Sequence, residues 1–594
     1  MIRIPRFKDT CAMSRRPLFK TVLTLLAATT AATGAGSAYA ELANAGAAVP
    51  PPPADLVLYN GHVLTPSGWV SAVASSDGAI VALGDDALAK ASAAANARMI
   101  DLHGQTVLPG LHDMHAHPIS AGTAEMQCQI APDSTMERLL ATTAACVKAK
   151  KPGEWVVGRA YEPAALGAAP SKALLDTIAP DNPVILTDVS IHASWANSAA
   201  LRLAGITRDT PDPKGGVIDR DANGEPTGIL REAAAFIARE KVPAASRADN
   251  VRALQWALDK MMSYGIVAFD DALVTTDAAQ AYADLADSGK LKPFVRGCLI
   301  STDPHLITYR QVYARARFEP TCIKILTDGV PNDSHTAAML DPYRPVRGVP
   351  HDERPNGLLM IPPAQLARDV TRYDAMGFTV KLHAAGDAAV HESLEAIAAA
   401  RKANGFSGQM HDVAHNSFVA PSDLVRAHDI GATLEFSPYI WFDSPIVRGV
   451  QQAVGPERMK RWIPVKEALD AGVFVIPGSD WNVVPSVNPW LAMETLVTRR
   501  GPGGSGEPVG LAEAITLQQA FNLFTINSAR HMNIADRSGT IEMGKRADLV
   551  VVDRDIFAVP VTAVHDTRVV MTIIDGEVVY ARPGPDRLPP NEGN

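Results

Sequence analysis

Residues 106–118 read TVLPGLHDMHAHP, an apolar run that ends on two histidines separated by a single residue. In extended backbone, side chains two positions apart point the same way, so His115 and His117 share a side and their imidazoles can share a metal ion. Histidines so spaced also occur in ordinary loops, and spacing alone leaves both readings open. Seven further runs have the same character: GIVAFDDA (265–272), PFVRGCLI (293–300), CIKILTDG (322–329), GFTVKLHA (377–384), HDVAH (411–415), GATLEFSP (431–438) and FVIPGSD (474–480). Helical stretches separate them, the alternation of parallel βα units. Eight such strands predict an α/β fold, a (β/α)8 TIM-like barrel.

Both ends of the chain read differently. DLVLYNGHVLTP, AIVALG and RMIDLHGQTVLPG upstream, and GTIEMGKRADLVVVDRD and VVMTIIDGEVVYA downstream, are short β-branched runs broken by Gly and Asn, which are hairpin signals. Neither end alone supplies enough strands for a core, so 55–107 is expected to pair with 536–585 in one small β-sandwich. The barrel then takes 108–120 with 264–535. The interval 121–263 is far longer than a βα loop and is expected to be a helix-rich insertion capping the barrel, and 586–594 a tail.

Residues 1–40 carry a basic start, an uncharged run and Ala38, Tyr39, Ala40, the pattern of a cleavable secretory signal, followed by a Pro-rich linker over 41–54. SRRPLFK (14–20) resembles a twin-arginine signal, while an ordinary Sec signal fits the same residues. The expected location is the periplasm or the exterior. Six basic side chains against Asp9 leave with this segment, so the formal charge of −9 becomes −14, an acidic balance that argues against nucleic acid as partner. No later segment reaches the ~20 apolar residues of a membrane span. The 47% apolar and 20% charged composition excludes disorder and fibrous repeats. In an oxidising compartment Cys128 and Cys146 are close enough in sequence to form a disulfide, whereas Cys298 and Cys322, in apolar strand-like runs, read as buried thiols.

Lys324, His383, His415 and Asp480 all fall at or near the ends of candidate strands, and strand carboxyl ends converge on one mouth of such a barrel, where catalysis occurs. At this point the sequence resembles the amidohydrolase superfamily, in the three-domain branch that includes N-substituted formamide deformylases. The resemblance rests on LPGLHDMHAHP, SIHASWANSAAL around His192, GEPTGILRE, IKILTDG, KLHAAGD, GSD and GTIEMGKRADLVVVD, and covers nearly the whole chain after residue 40. It implies that His115 and His117 bind one metal, His383 and His415 a second, Asp480 the first metal and the reacting water, and that a carbamylated Lys324 bridges both. Ala414 stands where this branch often has Glu, and His411, four residues before His415, is a competing ligand. Zinc, two ions per subunit, suits imidazole and carboxylate donors first, other divalent transition metals less.

The expected reaction is hydrolysis of the C–N bond of a small N-acyl or N-formyl compound by hydroxide that the metals generate. Asp480 would act as general base and then acid, and His192, which the resemblance sets over the mouth, would polarise the carbonyl. Trp195, Tyr439, Trp441 and Trp481 are candidate substrate contacts; for the aromatic set after the seventh and eighth strands, Tyr439, Trp441, Phe442 and Trp481, core packing is the competing reading. Lactone, carbamate or ester hydrolysis at the same site, and a periplasmic metal-binding protein without turnover, are the alternatives; a homo-oligomer is compatible with all of them. His62, His103, His112, His335 and His391 read as structural or surface residues, and Asp328 with Gly329 as shaping the loop beyond the lysine.

Overall fold

The computed structural model describes residues 52–131, 134–161, 166–188, 193–213, 216–331, 335–345, 355–437, 442, 444–484 and 486–583. At its centre are eight parallel strands: β1 (Leu111–Ala116), β2 (Ile266–Val274), β3 (Phe294–Ile300), β4 (Phe318–Leu326), β5 (Thr379–Ala384), β6 (Asp412–His415), β7 (Thr433–Phe436) and β8 (Phe474–Pro477). Each pairs with the next in chain order. Just past the end of β8 the sheet curls back on β1, where Asp480 N donates to His115 O at 2.7 Å and His117 N donates to Trp481 O at 2.5 Å. The result is the (β/α)8 barrel that the eight runs predict. Its strands are buried on both faces, which is why they read as near-continuous apolar runs.

The first run is divided. Thr106–Pro109 leaves the barrel and pairs with Leu549–Val552, and the barrel strand starts at Leu111. Gly110 is the pivot: its N–H donates to Asp548 O at 2.9 Å, and a side chain there would collide with Val267 of β2.

Strands from both chain ends join in one six-stranded sheet, in which Thr106–Pro109, His62–Thr65 and Gly68–Val70 meet Leu549–Val552, Val569–Ile574 and Glu577–Ala581. A four-stranded sheet built from 54–101 packs on it through Leu56, Leu58 and Ile100 against Val107, Val551 and Ile573.

Between β1 and β2 the chain is helix-rich, as expected, and it also builds a six-stranded mixed sheet within 128–232. Its strands are short and interrupted, so helical and strand periodicities compete in the sequence. Helix Arg247–Met262 buries Leu254, Leu258 and Met261 in the barrel's core, so this end of the 121–263 interval packs as barrel. None of the described helices is long and apolar enough to cross a membrane.

Cys128 and Cys146 are joined, with Cα atoms 5.8 Å apart. Cys298 and Cys322 are joined as well, which corrects their reading as thiols. The physical reason is register: β3 and β4 are neighbours, and Cys298 pairs directly with Cys322 across them.

Candidate metal centre

The carboxyl ends of β1, β4, β5, β6 and the turn after β8 bring His115, His117, Lys324, His383, His415 and Asp480 to the floor of one cavity of about 290 Å³. His117 Nε2 lies 3.2 Å and His115 Nε2 3.6 Å from Asp480 Oδ1, and His415 Nδ1 lies 3.9 Å from Asp480 Oδ2. The His415 ring is 4.6 Å from that of His115 and 4.9 Å from that of His383, centroid to centroid. Lys324 Nζ approaches His115 Nε2 to 3.2 Å. All six residues named from the sequence as metal ligands therefore converge.

Three of the four imidazoles have one nitrogen already engaged. His115 Nδ1 faces Glu435 Oε1 at 2.8 Å, His383 Nε2 donates to the Gly329 carbonyl at 3.1 Å, and His415 Nδ1 lies 2.7 Å from Ser437 Oγ. The carboxylate behind His115 and the carbonyl behind His383 fix the tautomer and leave the other nitrogen as a lone pair, whereas a hydroxyl such as that of Ser437 can donate or accept. Burial holds His383 down at about 4 and pushes His115 and His415 far below the imidazole range, so all three are neutral at pH 7. Asp480 is held at about 2: burial opposes its charge, but His415 and His117 beside it prevail. Burial lowers the Lys324 ammonium to about 8, with Glu435 opposing and Lys381 assisting. Neutral imidazoles around an anionic carboxylate, with the ligand atoms of His115, His415 and Asp480 all within 4.8 Å of one another, fit a divalent transition metal.

The geometry is imposed by residues that the sequence reading did not single out. Asp113, inside HDMHAH, accepts N–H bonds from His115 at 3.1 Å and Ser479 at 2.9 Å, stapling β1 to the turn that carries Asp480. Gly478 admits no side chain, because His115 and Glu435 fill the space. Asp328 does shape the loop after Lys324, accepting from Ala338, Ala385 and Gly386 at 2.9–3.0 Å. Below the centre lies a buried charge network. Lys381 Nζ donates to Glu435 at 2.5 Å and Asp412 at 2.7 Å and lies 3.7 Å from Asp270, which Arg296 grips at 2.5 and 2.9 Å. A charged residue two before His383, and another two before Ser437, is the sequence signal that inward-facing positions continue in polar character below the mouth.

His411 is not a competitor for the metal. It starts its run at the amino end of β6, roughly 13 Å below His415 at about 3.3 Å per residue, and bonds Asp374 at 2.9 Å and the Val380 N–H at 3.0 Å. Trp195 is no wall of the cavity either: it is fully buried in the insertion's own core, edge-on to Tyr161. Trp481 is likewise buried and stacks on Trp256 of helix Arg247–Met262. Trp481 follows the packing alternative, and burial in the insertion corrects the reading of Trp195 as a substrate contact. His192, Tyr439 and Trp441 lie outside the described residues. His62 stacks on Trp69, His103 is exposed beside Asp101, His112 contacts Ser538, His335 stacks on Tyr343 and His391 pairs with Asp423, all in structural or surface roles.

Above the six residues the cavity wall is apolar: Leu273, Leu326, Val330, Ile446, Val450, Trp462, Val483 and Val484. Among the described residues, no charged side chain beyond the centre's own lines it.

A family model described as "Amidohydrolase family" matches residues 98–580. The chain is 30% identical over 559 residues to an N-substituted formamide deformylase of Arthrobacter pascens, spanning 89% of this chain and 99% of the relative. It is 29% identical over 502 residues to a putative amidohydrolase, YtcJ, of Bacillus subtilis, spanning 81% and 90%. Its fold is similar to an uncharacterized metal-dependent hydrolase from Pyrococcus horikoshii, with a TM-score of 0.69, 23% identity, and 85% of this chain and 99% of that one covered.

Proposed function

The chain belongs to the amidohydrolase family, and from that premise we propose an exported hydrolase that cleaves the C–N bond of a small, neutral N-acyl or N-formyl amine. The observation that carries the reading is four imidazoles, Lys324 and Asp480 converging under an apolar wall. The deformylase relative, matched along 99% of its length, supports an N-formyl or related amide.

His115, His117 and Asp480 would hold one zinc ion and His383 and His415 a second, with a carbamylated Lys324 between them. Bound there, the cations would polarise the scissile carbonyl and lower the pKa of water from about 15.7 toward about 7. Asp480, ionised and beside the site of attack, takes the proton of the attacking water and returns it to the leaving nitrogen. Oxygen is thereby added to the carbonyl carbon, the C–N bond breaks, and a carboxylic acid and an amine result. His192 is assigned to the carbonyl oxygen. Among the described residues the apolar wall offers no counterion for a substrate carboxylate, which supports neutral amides over acylated amino acids.

The test is a panel of N-formyl amines, N-acyl amines, acylated amino acids and lactones on metal-loaded protein beside a His383→Asn control. Turnover of neutral amides with apolar substituents, abolished by chelator and in the control, is expected. Turnover confined to lactones or to acylated amino acids, or none at all, overturns the reading.

A further inference from the structure

Strand β7 contributes no side chain to the six-residue set, yet one of its residues, Glu435, and the residue just past it, Ser437, reach the set from behind. Glu435 Oε1 lies 2.8 Å from His115 Nδ1, and Ser437 Oγ lies 2.7 Å from His415 Nδ1. All four residues are buried. The two contacts differ in kind. Glu435 Oε2 already receives Lys381 Nζ at 2.5 Å, and Lys381 is itself held by Asp412 at 2.7 Å, an arrangement that places Oε1 to accept from His115 Nδ1. The free pair of His115 is then on Nε2, the atom that faces Lys324 and Asp480. A hydroxyl such as that of Ser437 both donates and accepts, so it orients the ring without dictating which nitrogen is protonated, and Asp480 Oδ2 stands 3.9 Å from the same Nδ1. The cross-strand neighbour of Glu435 on β6 is the small Ala414.

We propose that β7 grades the centre. Glu435, buttressed by Lys381, is a positioning residue that locks His115 in its ligating tautomer and makes it the stronger donor, while Ser437 leaves His415 the weaker one. A cation at His115, His117 and Asp480 is then retained, and one at His383 and His415 exchanges. This rests on the two-cation centre proposed above. A carboxylate behind a ligating imidazole raises its basicity, and loss of such a partner costs 10–100-fold in metal affinity.

The experiment titrates zinc- and cobalt-loaded protein with chelators of graded strength, counting the metal retained; no substrate enters. The wild type should release metal in two steps. Glu435→Gln places an NH2 group toward either Lys381 or His115, and the second choice inverts the histidine's tautomer. It should weaken the tighter step about 10–100-fold and shift the visible band of the cobalt held there. Glu435→Ala, which adds no competing donor, is the second variant, and circular dichroism of stripped protein separates loss of grading from loss of fold. Ser437→Ala should weaken the looser step alone. Folded Glu435 variants that keep the tighter cation at wild-type chelator concentrations overturn the proposal, as does a tighter cation lost in His415→Asn and kept in His115→Asn. Should neither Glu435 variant fold, Ser437→Ala decides: weakening of the looser step alone supports the grading, and any other result overturns it. A protein that hydrolyses no amide but releases metal in this order fails the reaction proposed above and sustains the grading.

Discussion

Lys381→Met tests how the barrel interior is held together beneath the metal centre. Lys381 is fully buried, with Nζ 2.5 Å from Glu435, 2.7 Å from Asp412 and 3.7 Å from Asp270. Methionine has nearly the same length and fills the space, so the substitution removes charge without leaving a large void. Three carboxylates then face one guanidinium, Arg296, whose fork is already engaged on Asp270. Removing one partner of a buried ion pair costs about 3–5 kcal/mol, and that is the expected loss, measured by chemical unfolding of metal-stripped protein at pH 8. The carboxylates left unpaired would bind protons in the folded state at a higher pH than in the unfolded chain. Groups shifted in that direction contribute stability at low pH that is lost as pH rises. The deficit should therefore be smaller at pH 6 than at pH 8. Glu435→Gln added to Lys381→Met removes one uncompensated carboxylate and should recover part of the loss, a non-additivity expected of residues in contact. A Lys381→Met protein within about 0.5 kcal/mol of wild type at pH 8, the usual span of a neutral surface change, or a deficit larger at pH 6, would refute the reasoning.

Asp480→Asn should retain most of its metal, counted by elemental analysis, yet lose about 10²–10⁴-fold in turnover, the usual worth of a positioned acid–base group; near wild-type rates would remove Asp480 from that role. In metal-stripped protein, burial holds His383 at about 4 and keeps His115 and His415 well below the usual imidazole range, so the unfolded chain takes up these protons first. Thermal midpoints should fall as pH drops from about 6.5 toward about 4, and fall less steeply in His383→Asn; parallel curves would contradict this. Peptide mapping without reductant should recover Cys128 linked to Cys146 and Cys298 linked to Cys322, and a free Cys298 thiol would show the second link to be wrong. Lys324→Ala should be inactive and regain turnover with short carboxylic acids that replace a carbamate, and full activity without them would dismiss the bridge.

The barrel was legible because a strand buried on both faces is largely apolar, and most of the eight runs are. The ligands were legible because they interrupt that apolarity at one end, where polar groups are tolerated only if something satisfies them. Gly110 was harder. TVLPGLHDMH is continuous in sequence, and only the approach of Val267 forces the chain to pass from one sheet to another there. The Cys298–Cys322 link depends on the register of β3 against β4, which no local pattern encodes. Trp195 and Trp481 carried the opposite error: aromatic residues near a mouth fill cores as readily as they line pockets, and these two fill cores.

The charged layer was missed for a deeper reason. Glu435 in TLEF and Lys381 in TVKL look like flaws in apolar strands, and each taken alone would cost stability. They make sense only as a set. Arg296, Asp270, Lys381, Asp412 and Glu435 satisfy one another, and the set delivers one oxygen, Glu435 Oε1, to the back of His115. The cavity wall above is built from other places, chiefly Ile446 and Val450 after β7 and Val483 and Val484 after β8. On the proposed reading, the charged layer beneath the centre would serve the chemistry and the apolar wall above it the selectivity. Substitutions in the wall should change which molecule is accepted while the centre keeps its ligands, whereas substitutions in the charged layer should alter the centre without touching the cavity.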